Sequence, residues 1–202
     1  MVAIAQIKRW VFVVALIPLV RLFVLAYVGQ LGANPVEFIT RSTGTWTITF
    51  LCITLAMSPM YWLTAWSGWV QMRRMLELFT FFYAFLHFTI WYWLDHYLNI
   101  QEMFADVIER PFITVGFIAF VCMSLLAITS NRASMHWLGR RWSQLHRLIY
   151  LIAILAVLHY LWHKAGKNDF QTVYIYAGII LVFLIVRIPV IREQLRRIKT
   201  RS

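Results

Sequence analysis

Apolar runs of about 20 residues recur from one end of this chain to the other, and that is the length an α-helix needs to cross a bilayer. Of 202 residues, 61% are hydrophobic and 13% charged, against roughly 45–50% apolar in a soluble domain. In lipid, each backbone amide must find its partner within the element, so runs of this kind fold as helices. The expectation is an all-α integral membrane protein, a six-transmembrane-helix bundle in one domain over residues 1–202. The spans fall at about 8–28, 43–63, 74–96, 111–129, 143–163 and 171–189. The first run has no small-residue cleavage site and reads as a retained helix.

Several local features qualify these spans. Pro18 predicts a kink in the first, and the depth of Arg21 predicts that it faces the bundle interior. Asn34, Pro35 and Glu37 read as a helix start, predicting a short interfacial helix before the second span. Over residues 100–109, Ile100, Met103, Phe104, Val107 and Ile108 follow a helical stripe, while Glu102, Asp106 and Glu109 fall elsewhere on the wheel. This predicts an amphipathic interfacial helix that either offers its acids as part of a docking surface or simply rests on the membrane. Cys52 and Cys122 lie in apolar spans without metal-ligand spacing and read as small buried hydrophobes.

The formal net charge is +11. With six spans, Lys8, Arg9, Arg73, Arg74, Arg132, Arg140, Arg141, Arg147 and the basic tail share one side. Most acids, including Glu37, Asp95, Glu102, Asp106, Glu109 and Asp169, share the other. That asymmetry places both termini in the cytoplasm. It accounts for the positive charge as a topology signal, with no nucleic acid as partner.

Residues 140–163 read as one uninterrupted apolar helix carrying His146 near one end and His159 near the other. Histidine is costly in such a span. His96, His136 and His163 fall in a loop or at helix ends and read as solvated or interfacial. At 1.5 Å per residue, His87 lies about 20 Å beyond Arg74, and His159 about 20 Å beyond His146. His87 and His159 therefore reach matched depth on two helices. Two neutral imidazoles so placed suit the axial ligation of a haem iron working in electron transfer.

Two other readings fit the same residues: another buried metal or proton-relay site, and polar glue between helices. The lack of a carboxylate at helical spacing from either histidine weighs against a hard metal. His146 forms a half-site, because no histidine stands opposite it near Arg74. A step of 13 residues also turns about 140° away from register, so one straight helical face does not serve both depths. No phosphate-binding glycine loop, paired catalytic carboxylates or activated nucleophile is present.

The segments LGANPVEFI, SPM, MRRMLEL, FLHFTIW, ERPFITVGF, LAITSNRASMHWLGRRW and RRWSQLHRLIYLIAILAVLHYLW, in this order, resemble the MsrQ (formerly YedZ) family. These are the haem-binding membrane subunits of a bacterial methionine sulfoxide reductase system, with a ferric-reductase-like transmembrane domain. The resemblance implies b-type haem, one or two per chain, and an associated FMN. It implies electron transfer across the inner membrane to MsrP, a periplasmic molybdopterin enzyme that repairs oxidised proteins. The donor would be a quinol or a cytoplasmic flavin reductase. The family's haem-iron ligands carry over to His87, His146 and His159, and Glu77 stands where the family usually has a small residue.

On this reading the chain is an electron-transfer subunit rather than the catalytic reductase. Arg73, Arg74, Arg140 and Arg141 are candidate contacts for a flavin or donor on the cytoplasmic side. A stand-alone transmembrane ferric or quinone reductase, and a non-redox six-helix transporter or scaffold, are the alternatives.

Overall fold

The computed structural model describes residues 2–166, 168–191 and 193. Among these residues the chain is helical and contains no strand. The helices are α1 (Val2–Tyr27), α2 (Pro35–Thr64), α3 (Gly68–Ile90), α4 (Ile100–Glu109), α5 (Pro111–Ile128), α6 (Arg132–Leu138), α7 (Arg140–Leu145), α8 (Leu148–Ala165) and α9 (Gln171–Ile185), with a π-helical turn at Trp91–Asp95 after α3.

Five helical stretches are long and apolar enough to cross a membrane: Ile4–Tyr27, Pro35–Thr64, Gly68–Asp95, Pro111–Ile128 and Arg140–Ala165. The sixth expected span is the apolar helix α9. Its 15 residues rise only about 22 Å, short of a hydrocarbon core of roughly 30 Å.

Helices α2, α3, α5, α8 and α9 pack in a ring, each against the next, with α9 closing back on α2. Helix α1 lies outside the ring against α3. Two clusters hold this arrangement. One joins Leu51 and Leu55 of α2, Ala84 of α3, Met123 and Leu126 of α5, Ile152 and Ala153 of α8, and Ile180 of α9. The other joins Ala15 of α1 to Phe50 and Met57 of α2 and to Met72, Leu76, Phe79 and Tyr83 of α3. The fully buried Tyr83 stacks on Phe50 and donates its hydroxyl to the Ala15 carbonyl, 2.7 Å away.

The structure corrects several expectations. No separate interfacial helix precedes the second span. Asn34 caps α2 by accepting from the Glu37 N–H at 3.1 Å, and with Pro35 at the first helical position the helix runs unbroken from there. Helix α3 begins at Gly68 rather than at 74, so Arg73 also lies inside the helix. Arg21 is exposed on the outer surface of α1, in an apolar groove beside Leu16, Ile17, Val20 and Val24. Depth predicts that a charge is costly, but not the face it occupies.

The span 143–163 is not one helix. It breaks at His146 and Arg147, where turn-type bonds run from Arg147 N–H to the Gln144 carbonyl and from Tyr150 N–H to the Arg147 carbonyl. The cause is side-chain anchoring. Trp142 donates its indole N–H to the Thr129 carbonyl at 3.0 Å, and its ring stacks on His146 at 4.0 Å. Helix α7 is thereby tied to the end of α5.

The amphipathic helix exists as α4, but its acids do not share one fate. Glu102 and Glu109 are exposed. Asp106 is buried, its carboxylate in an ion pair with Arg110 Nε at 2.6 Å and 3.1 Å from His96 Nε2. His96 is correspondingly paired rather than solvated. The reversal from α3 into α4 takes Tyr97 and Leu98 through left-handed backbone at φ 49° and 63°, a conformation unfavourable for bulky residues. The His96–Asp106 contact and a bond from the Tyr92 hydroxyl to the Leu98 carbonyl hold it. Asp106→Ala is expected to cost about 1–3 kcal/mol, because it strips a buried cluster of its shared acceptor. Glu102→Ala is expected to stay within about 0.5 kcal/mol of the parent. Thermal unfolding in detergent compares the two.

Candidate functional site

Two of the three sequence-predicted ligands meet across the ring. His87 is on α3 and His159 on α8, with ring centroids 6.1 Å apart and planes at 79°. Each ring is fixed by the same device from a neighbouring helix. His87 Nδ1 lies 2.9 Å from the Thr40 carbonyl of α2, and His159 Nδ1 lies 2.7 Å from the Phe112 carbonyl of α5. A carbonyl only accepts, so both Nδ1 atoms carry the proton, and each Nε2 keeps its lone pair. Neither Nε2 has a hydrogen-bond partner among the described residues.

One turn further along each neighbouring helix is a glycine. A Cβ on Gly44 would lie 3.1 Å from His87 Cε1, and a Cβ on Gly116 would lie 2.6 Å from His159 Nδ1. Each imidazole therefore rests against bare backbone. The two halves also match in sequence, since 47 residues separate carbonyl from histidine in both. What the pair offers is two oriented imidazole lone pairs, held by their outer hydrogen bonds in the way that metal-ligating histidines are held.

The surroundings are aromatic and hydroxylic. Phe112 and His163 pack on His159, so His163 belongs to this cluster rather than to solvent. Tyr160, next to His159, packs on Tyr176, whose hydroxyl lies 2.8 Å from Thr49 Oγ1. Among the described residues no group of three or more His, Cys, Asp or Glu is placed to hold a bare metal ion.

His146 is not part of this constellation. It is buried at the break between α7 and α8, its Nε2 3.2 Å from the Thr129 hydroxyl. Arg73 is near enough for its charge to act on this ring. Arg73 itself donates to Glu77 at 3.0 Å and lies at the Ser58 hydroxyl. Arg74, Arg140 and Arg141 are exposed.

Comparison with known proteins decides the family. Residues 43–157 match the ferric reductase like transmembrane component family. The protein-methionine-sulfoxide reductase heme-binding subunit MsrQ of Herminiimonas arsenicoxydans is 53% identical over 183 residues, covering 90% of this chain and 84% of that protein. The chain belongs to the MsrQ family. The MsrQ proteins of Ralstonia nicotianae and Bordetella pertussis are 52% and 51% identical, over 88% and 90% of this chain and 82% and 88% of their own lengths. No solved structure matches.

The matched transmembrane family and the five long apolar helices make this MsrQ relative a multi-pass membrane protein. Within it, the sequence reading named His87 and His159, which the structure brings together, but did not name Thr40, Gly44, Phe112 or Gly116. The signal was present as a repeated pattern, Leu-His followed by an aromatic residue at 86–88 and at 158–160. A glycine precedes each histidine at the same distance.

Proposed function

We propose that this chain is a haem-binding electron-transfer subunit of a protein-methionine-sulfoxide reductase system, and that His87 and His159 are the axial ligands of a b-type haem. The His87–His159 geometry carries the reading. A bond of roughly 2 Å from iron to each Nε2, with about 1 Å from each nitrogen to its ring centre, needs centroids about 6 Å apart. The observed separation is 6.1 Å. The backbone carbonyls at Nδ1 set the tautomer that leaves Nε2 free to ligate. When bound, haem with two nitrogen ligands supplies one-electron relay without an open position for oxygen.

The remaining roles follow from placement. The six-span arrangement in the inner membrane, with both termini cytoplasmic, is supported by the lysine and arginine asymmetry. His146 then stands at the cytoplasmic side, about 20 Å from the outer pair, as the ligand of a second haem or of an exchangeable group. Arg73, Arg74, Arg140 and Arg141 line that end and supply positive charge for an FMN phosphate, or for docking of a cytoplasmic flavin reductase. A quinol is the other donor. The acceptor is a periplasmic molybdopterin reductase of the MsrP type, which repairs oxidised proteins.

A reduced-minus-oxidised spectrum of the purified protein tests the core of this. The expected result is a six-coordinate b-type haem signature. In membrane vesicles, the chain should also support methionine sulfoxide reduction by the soluble partner. A colourless protein from haem-replete cells would sink the reading.

A further inference from the structure

We propose that Arg41 is a haem-binding residue, its guanidinium taking a propionate carboxylate of the haem held between His87 and His159. The inference rests on the haem reading above and adds a contact to it. Arg41 follows Thr40, whose carbonyl fixes His87, and lies one turn before Gly44, on which the same ring rests. Arg41 thus stands on the turn of α2 that holds His87.

Its guanidinium has spare capacity. Nε and Nη2 are sealed from solvent and have no hydrogen-bond partner among the described residues. Glu37, one turn earlier, is in ion-pair range of Nη2 but lies outside hydrogen-bonding geometry. One oxygen of Glu37 is also drawn to the Asn34 amide at 3.3 Å. Nη2 has the Glu37 carboxylate as an ion-pair partner, so the sealed donor left without any acceptor is Nε, and such a donor is costly. The fork that Nε and Nη2 form matches a carboxylate or a phosphate, which accepts both at once. A haem held by His87 and His159 would carry two such carboxylates.

The test titrates the full chain, isolated without haem from a haem-deficient host, with haem or with haem dimethyl ester, whose carboxyl groups carry no charge. The parent is expected to bind the ester about tenfold or more weakly than haem, as the loss of a charge-assisted pair implies. Arg41→Met should lose about that factor for haem and nothing for the ester, so that the discrimination vanishes. Arg41→Lys should restore part of it. Glu37→Gln, which removes the competing carboxylate, should increase the preference for haem. The ester affinity reports folding independently of the contact.

Equal weakening of both probes in Arg41→Met, or no weakening of either, overturns the assignment and leaves the haem reading standing. The anion at Arg41 would then be a lipid phosphate or a partner's carboxylate. A parent that binds neither probe with a two-histidine spectrum overturns the reading of the site itself.

Discussion

Alanine at His87 or at His159 removes the six-coordinate haem spectrum from the purified protein, with haem retention falling by about tenfold or more, whereas alanine at His146 leaves that spectrum in place. The expectation comes from how the three rings are held. His87 and His159 each have Nδ1 bonded to a carbonyl of a neighbouring helix and, among the described residues, no hydrogen-bond partner for Nε2. Removing either leaves one nitrogen to do the work of two. Even outer hydrogen bonds to a metal-ligating histidine are worth about 10–100-fold in affinity, so loss of the ligand itself should exceed the lower figure. His146 instead has its Nε2 at the Thr129 hydroxyl and its face on Trp142. Its removal should alter the donor end and destabilise the α7–α8 break by about 1 kcal/mol for the lost hydrogen bond. Visible spectra of the three variants, with haem quantified per chain, decide the matter. Retention of the full spectrum in both His87→Ala and His159→Ala would remove the ligand assignment.

That His87 and His159 come together was readable from depth because helices rise uniformly, so counting residues from a common boundary ranks side chains along the helix axes. Azimuth was less readable. A step of 13 residues rules out one straight face for His146 and His159, and the structure breaks the helix at His146 and Arg147, with His146 outside the His87–His159 cluster. Neither glycine nor proline marks the break, since tertiary bonds from Trp142 and His146 to Thr129 cause it. Arg21 and Asp106 show the same blind spot from opposite directions. The arginine is deep yet faces outward, while the aspartate on the polar side of its wheel is buried because His96 and Arg110 reach it. Composition reports what burial costs, and only the packed structure reports which partner meets the cost.

The α2–α3 and α5–α8 pairs repeat one design: a carbonyl to hold the imidazole, a glycine one turn on, and a histidine on the facing helix. The two halves differ in how tightly the glycine is used, and this gives a graded prediction. Gly116→Ala places a methyl 2.6 Å from His159 Nδ1 and 2.8 Å from its Cε1, distances that real contacts do not tolerate. The ring must swing away, loosening the Nδ1 bond to Phe112. Gly44→Ala meets His87 at 3.1 Å, which a displacement of a few tenths of an ångström relieves. Alanine gains roughly 1 kcal/mol over glycine in a helix, while overpacking costs about 1–3 kcal/mol. Global stability should therefore change little in Gly44→Ala and fall by no more than about 2 kcal/mol in Gly116→Ala. The site should not be spared: haem affinity is expected to fall by about tenfold or more in Gly116→Ala and only a few-fold in Gly44→Ala. Gly178→Ala, with nothing within 4 Å of the new methyl, is the control and should gain stability with no change in affinity. A Gly116→Ala protein that holds haem as tightly as the parent would mean that His159 is not fixed against bare backbone, and the two-histidine clamp would lose its geometric basis.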